Sequence, residues 1–136
     1  MRAWAERERD AARPMVWFHA ASVGEGLQAA AVMAAFRERR PDAQVVYTFF
    51  SPSAEGLARR VPADLADYLP FDTPADVRRA LDLLRPDVVA FSKYDVWPNL
   101  VAEAQRRGVR LALLSATLPA SSSRLRGPAR ALLGAS

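Results

Sequence analysis

The sequence predicts an α/β domain, an open parallel β-sheet with helices on both faces. Short runs rich in Val, Phe, Tyr and Leu, at residues 16–20, 44–49, 88–92 and 109–114, alternate with longer alanine-, leucine- and arginine-rich stretches. That alternation is the pattern of parallel strands joined through helices. The runs are apolar almost throughout, without a polar residue at every second position, as expected of strands covered on both sides. The 136 residues, 51% of them hydrophobic, match one ordinary domain with one real core.

Residues 1–13 read as a charged, helical lead-in with Trp4 as its one large apolar residue, and Pro14 ends it. Residues 14–136 form the domain proper. The run Val16-Trp17-Phe18-His19-Ala20 is the first strand, and Ala21-Ser22-Val23-Gly24-Glu25 is a turn into a helix that reaches Arg40. Leu27, Ala30, Ala31, Ala34 and Ala35 recur at helical spacing and are the expected inward stripe. Arg39-Arg40-Pro41-Asp42 stops this helix, and residues 44–49 are the second strand. Phe50-Ser51-Pro52-Ser53 is the following loop, with Ser53 placed to cap a short helix to about Arg60.

Residues 61–67 cross back towards the sheet, and Asp67-Tyr68-Leu69-Pro70 reads as a short third strand cut off by the proline. Thr73-Pro74-Ala75-Asp76 combines a capping hydroxyl, proline at the first helical position and an acid in the first turn. Val77, Ala80, Leu81 and Leu84 are the stripe of that helix, which Arg85-Pro86-Asp87 ends before the fourth strand, residues 88–92. Asp95-Val96-Trp97-Pro98-Asn99 feeds a further helix, with Leu100, Val101 and Ala104 inward and Gly108 as its stop. Residues 109–114 are the fifth strand, 115–123 a loop of small residues, and 124–133 a last helix interrupted at Gly127-Pro128.

Composition narrows the chemistry. No cysteine and a single histidine exclude disulfides, thiolate metal sites and a His-rich metal centre. No window approaches the roughly 18 consecutive apolar residues of a membrane span, and the charged opening is unlike a secretory signal. The net charge of +4 comes almost wholly from arginine, since Lys93 is the only lysine. The arginines fall in pairs late in helices or on their solvated faces, where they complement the helix dipole. No RNA-binding aromatic signature or zinc-finger spacing accompanies them, so a nucleic-acid partner is not expected.

In a parallel sheet the loops after the strands share one edge, where ligands bind. That edge gathers residues 21–25, 50–53, 70–72, 93–99 and 115–118, and with them the candidate ligand-binding residues Ser22, Gly24, Ser51, Ser53, Lys93, Asp95, Asn99 and Ser115. Ser22-Val23-Gly24-Glu25-Gly26 has neither the glycine spacing of a dinucleotide fingerprint nor a P-loop lysine. A glycine there still allows close approach of a ligand to the helix N-terminus. Glu25 in the first turn has two readings, complementation of the helix dipole or a catalytic carboxylate. His19, inside the first strand, is expected to pack beneath the site. Trp97, Pro98 and Asp95 each have an ordinary structural reading as core residue, helix start and cap.

Taken together, Trp17-Phe18-His19-Ala20-Ala21-Ser22-Val23-Gly24-Glu25, Tyr68-Leu69-Pro70-Phe71-Asp72, Trp97-Pro98-Asn99 and Ser115-Ala116-Thr117-Leu118 resemble the N-terminal half of the Kdo (3-deoxy-D-manno-octulosonic acid) transferases. The resemblance runs in order over nearly the whole chain. It implies the Rossmann-like N-terminal, acceptor-side domain of a two-domain GT-B glycosyltransferase, with a C-terminal sugar-nucleotide domain absent from this chain. It further implies transfer of Kdo from CMP-Kdo, as donor substrate and without a cofactor, to a lipid A precursor at the cytoplasmic face of the inner membrane. The family's general base maps onto Glu25. Two places depart from the family: Lys93-Tyr94-Asp95 stands where many members carry Glu-Thr-Glu, and Ser115-Ala116-Thr117 where many carry Asn-Ala-Arg. The lysine reverses the local charge and suits a phosphorylated acceptor. Another GT-B glycosyltransferase with a different acceptor, and a non-catalytic flavodoxin-like binding module, are the alternative readings.

Overall fold

A computed structural model describes residues 1–93 and 96–115. Five parallel strands, β1 (Met15–His19), β2 (Gln44–Phe49), β3 (Leu65–Tyr68), β4 (Val88–Ser92) and β5 (Arg110–Leu114), lie in the order β3-β2-β1-β4-β5. β1, β2 and most of β4 are buried on both faces, as their unbroken apolar composition predicts. The third strand begins two residues earlier than the sequence suggests. Its residues are only partly buried at the sheet margin, so hydrophobicity does not mark its start.

Helices α1 (Arg2–Glu8), α2 (Val23–Arg39), α3 (Glu55–Ala58), α4 (Pro74–Leu84) and α5 (Pro98–Arg106) cover the sheet, with a 3-10 turn (Pro52–Ala54) leading into α3. One core joins Met15, Trp17, Val46, Val89 and Phe91 to Val77, Leu81 and Leu84 of α4 and Leu100 and Ala104 of α5. Trp4 of α1 packs against the same core. The opposite core joins Val16, Phe18, Val45, Tyr47 and Ala90 to Ala29 and Met33 of α2 and Ala58 of α3. Odd and even positions of β1 thus point into different layers, as the period of two requires.

α2 turns a different face inward from the one its alanines suggest. Gly26, Ala29 and Met33 are buried, whereas Leu27 is 57% exposed and Ala31, Ala34 and Ala35 face outward. A helix with small residues all round carries no clear stripe, and bulk in the neighbouring layer decides its rotation. An added Cβ at Gly26 would lie 2.6 Å from both the Tyr47 hydroxyl and Leu57 Cδ2, so the glycine face is the one that admits this contact.

Caps fix the other helices. Thr73 accepts from the Asp76 N–H with Pro74 at the first helical position, and Gly108, at φ 72°, follows the end of α5, both as expected. Ser53, by contrast, lies inside the 3-10 turn and caps nothing; its hydroxyl meets that of Ser51 at 2.8 Å.

Residues 9–13 dock on the strand-start edge, while Met1 at the start of α1 pairs through its amino group with Asp67 of β3. The Arg9 guanidinium donates to the carbonyls of Leu84, Arg85, Asp10 and Arg13 and to Gln44 Oε1. Gln44 in turn donates to the Glu8 carbonyl and accepts from the Asp10 N–H. Burial holds the Arg9 pKa below its usual value.

Candidate active site at the strand ends

The strand order reverses direction between β1 and β4: β1 leads through α2 to β2 on one side, and β4 leads through α5 to β5 on the other. Helices α2 and α5 belong to opposite layers, so the chain diverges above these two central strands. Such a switch point opens a crevice at the carboxyl ends of the strands. Glu25 belongs to one flank of it, and Lys93 and Trp97 to the other.

On the first flank, Ser22 is the N-cap of α2 and Glu25 is its third helical residue. Ser22 Oγ accepts from the Glu25 N–H at 3.4 Å and donates to Glu25 Oε2 at 3.2 Å. This is a Ser-x-x-Glu cap in which the acid is held by the capping hydroxyl instead of reaching the backbone of Ser22. Glu25 is partly buried as a residue, and its remaining side-chain oxygen makes no hydrogen bond among the described residues. Gly24 has open space where a Cβ would stand, so local packing does not demand a glycine there.

On the second flank, Ser92 Oγ donates to the Glu25 carbonyl at 3.2 Å and ties β4 to the first turn of α2. Lys93 follows with φ 55°, and Ser115, at the end of the neighbouring strand, has φ 53°. The Lys93 N–H donates to the Leu114 carbonyl, so two left-handed residues sit side by side where β4 and β5 stop. Both are non-glycine residues in a costly conformation, a form of strain that clusters at ligand sites. Asp95 lies outside the described residues.

Asn99 is engaged within the fold. Its side-chain amide donates to the Asp72 carbonyl at 2.6 Å, and the Asp72 carboxylate accepts from the backbone N–H groups of Asn99 and Leu100, each at 3.0 Å. The acid at the start of α5 is thus supplied by the loop after β3, and the Phe71-Asp72 and Pro98-Asn99 motifs hold one another. Ser51 donates its N–H to the Ala21 carbonyl, which brings the β2 loop beside the turn that carries Glu25.

His19 is fully buried on the layer opposite α2. Its Nδ1 is 3.0 Å from Thr48 Oγ1, which also accepts from Trp17 Nε1 at 2.8 Å, and its Nε2 accepts from Trp97 Nε1 at 3.0 Å. This places His19 beneath the edge, as the sequence suggests. What composition does not reveal is the apolar rim above it: Phe50, Phe71 and Val96 are 49%, 75% and 41% exposed, and the Phe50 and Trp97 rings lie 5.3 Å apart. Aromatics placed in strand-to-helix turns, outside any stripe, were the available signal.

A cleft of about 230 Å³ between Leu81, Arg85, Pro86, Arg107 and Val109 lies at the other end of the sheet and touches none of these groups. Chemistry, not cavity size, marks the strand-end edge as the candidate site. Among the described residues no group of three or more His, Asp or Glu could hold a metal ion, and no helix is long and apolar enough to cross a membrane.

The fold and the switch-point edge define a Rossmann-like α/β domain. The structure is similar to a UDP-N-acetylglucosamine 2-epimerase from Neisseria meningitidis solved with UDP-N-acetylglucosamine, with a TM-score of 0.57 and 13% identity over 88% of this chain and 36% of that one. At that identity the likeness concerns the fold alone. Sequence carries the assignment further: the family described as 3-deoxy-D-manno-octulosonic-acid transferase (kdotransferase) matches residues 2–135, and the chain belongs to it. Curated relatives include the 3-deoxy-D-manno-octulosonic acid transferases of Chlamydia trachomatis, 34% identical over 77% of this chain, and of Bordetella pertussis, 36% identical over 82%. The chain spans about a quarter of their length, 25% and 27% respectively.

Proposed function

We propose that this chain is the acceptor-side domain of a two-domain Kdo transferase and that Glu25 is its general base. The observation that carries the reading is the position of Glu25, a partly buried glutamate at the switch-point edge of a chain of this family, with one carboxylate oxygen held by Ser22. The acceptor hydroxyl gives its proton to Glu25 as its oxygen bonds to the anomeric carbon of Kdo. The bond from that carbon to the phosphate of CMP-Kdo breaks, and CMP leaves with the electron pair. A phosphate leaving group needs no proton from a side chain, so one carboxylate suffices on this side. No cofactor or metal enters the scheme. The donor is held by a C-terminal domain on the remainder of the polypeptide.

The acceptor in this reading is a lipid A precursor presented at the cytoplasmic face of the inner membrane. The exposed Phe50, Phe71 and Val96 suit a substrate with apolar parts, and Lys93 suits its phosphate. Gly24 leaves room for the acceptor to approach the first turn of α2. Ser51, Ser53, Asp95 and Ser115 are further candidate contacts, and Asn99 contributes through the loop it holds.

The deciding experiment is Glu25→Gln in the two-domain protein. The amide keeps the size of the side chain and loses the basicity, so turnover should fall by about 10²–10⁴-fold with little change in melting temperature. Near-normal turnover would remove Glu25 from the role of base.

A further inference from the structure

The chain Trp97–His19–Thr48–Trp17 is more than core packing. His19 and Thr48 are register partners across β1 and β2, with both side chains fully buried. An indole N–H can only donate, so at its bond to Trp97 the imidazole Nε2 is the acceptor, and the ring proton sits on Nδ1 facing Thr48. Thr48 Oγ1 accepts hydrogen bonds from that N–H and from the Trp17 N–H, and donates its own hydroxyl towards the Phe18 carbonyl at 3.5 Å. Every donor in the chain has its acceptor. At the far end Trp97 emerges from the core half-exposed, edge-on to the His19 ring at 5.9 Å and beside Phe50.

From this geometry we propose that His19 is a positioning residue that sets the indole of Trp97, and that Trp97 with Phe50 forms the wall against which the acceptor lies. The second half rests on the Kdo transferase reading; the first does not. An aromatic face of this kind takes the apolar C–H face of a sugar ring or the start of an acyl chain, and its contribution depends on where the ring is held. A rigid hydrogen-bond chain anchored on two central strands holds it better than a loop can.

Two substitutions split the function of the imidazole. Gln can place an oxygen where Nε2 accepts from Trp97, whereas Asn reaches only as far as Nδ1 and serves Thr48. In the two-domain protein, His19→Asn and Trp97→Phe should each raise the acceptor KM about tenfold with kcat within about twofold, and His19→Gln should stay within about twofold of the parent on both. Combining His19→Asn with Trp97→Phe should add little to either alone, because both break the same bond. Trp97→Phe retains an aromatic ring and guards against a variant that merely fails to fold. Solvent exchange of the Trp97 indole N–H, assigned through Trp97→Phe, should be slow in the parent and in His19→Gln and at least about tenfold faster in His19→Asn.

Equal losses in His19→Gln and His19→Asn, or unchanged indole exchange in His19→Asn, would overturn the positioning role. An acceptor KM unmoved by Trp97→Phe would overturn the wall. If the parent transfers no Kdo, the transferase reading fails, while indole exchange still decides whether His19 holds Trp97.

Discussion

A methyl group at Gly26 would meet the Tyr47 hydroxyl and Leu57 Cδ2 at 2.6 Å, and the Tyr47 ring is fully buried and cannot swing away. Gly26→Ala should therefore destabilise the domain by about 1–3 kcal/mol in denaturant unfolding, despite the better helix propensity of alanine. The Tyr47 hydroxyl has no hydrogen-bond partner among the described residues. Tyr47→Phe removes an unpaired buried group and should leave stability unchanged or raise it, and it should recover part of the loss in Gly26→Ala. Burial, with a smaller contribution from the charge of Glu25, pushes the Tyr47 phenol from 10.0 up to about 12. A raised folded-state pKa means that the native state keeps the proton longer than the unfolded chain. The contribution of Tyr47 is fully present below pH 10 and is lost as pH rises towards 12. Melts across that window should fall more steeply in the parent than in Tyr47→Phe.

At the scale of elements, Asp72 shows what a single sequence conceals. It stands before α4, yet it caps α5 from 27 residues away. Asp72→Ala should cost about 1–2 kcal/mol, the range of a lost N-cap, and chemical unfolding measures it directly. Helix starts with local caps, such as Thr73-Pro74, and the buried central strands were legible because their signals lie within a few residues. The inward face of α2 was not, since alanine on every side leaves rotation to the glycine contact. The start of β3 was hidden by the half-polar character of Leu65-Ala66-Asp67-Tyr68. The loops of the site could be named from the alternation of elements, whereas the indole–imidazole chain joins residues 78 positions apart and has no local signature.

For the whole molecule, Arg9 ties the lead-in to the domain, joining the end of α4, the start of β2 and the turn after α1. A guanidinium at a helix C-terminus complements the dipole and satisfies otherwise unpaired carbonyls. Arg9→Ala should lower stability by about 1–3 kcal/mol and expose residues 1–13 to limited proteolysis, whereas Arg7→Ala, on an exposed position, should do neither. Strand order was beyond the sequence, because it depends on which non-local pairs win. Order nevertheless decides the site, since it sets β1 beside β4.

Asp72 locks the loop before α4 to the first turn of α5, so these two helices and Trp97 travel together as one layer. Glu25 rides on the other layer, with α2. Ser92 is one side-chain stitch between the sheet and the first turn of α2. In the proposed reading, an acceptor held between Glu25 and Trp97 bridges the two layers, so any shear of one layer over the sheet would change the distance between the proposed base and wall.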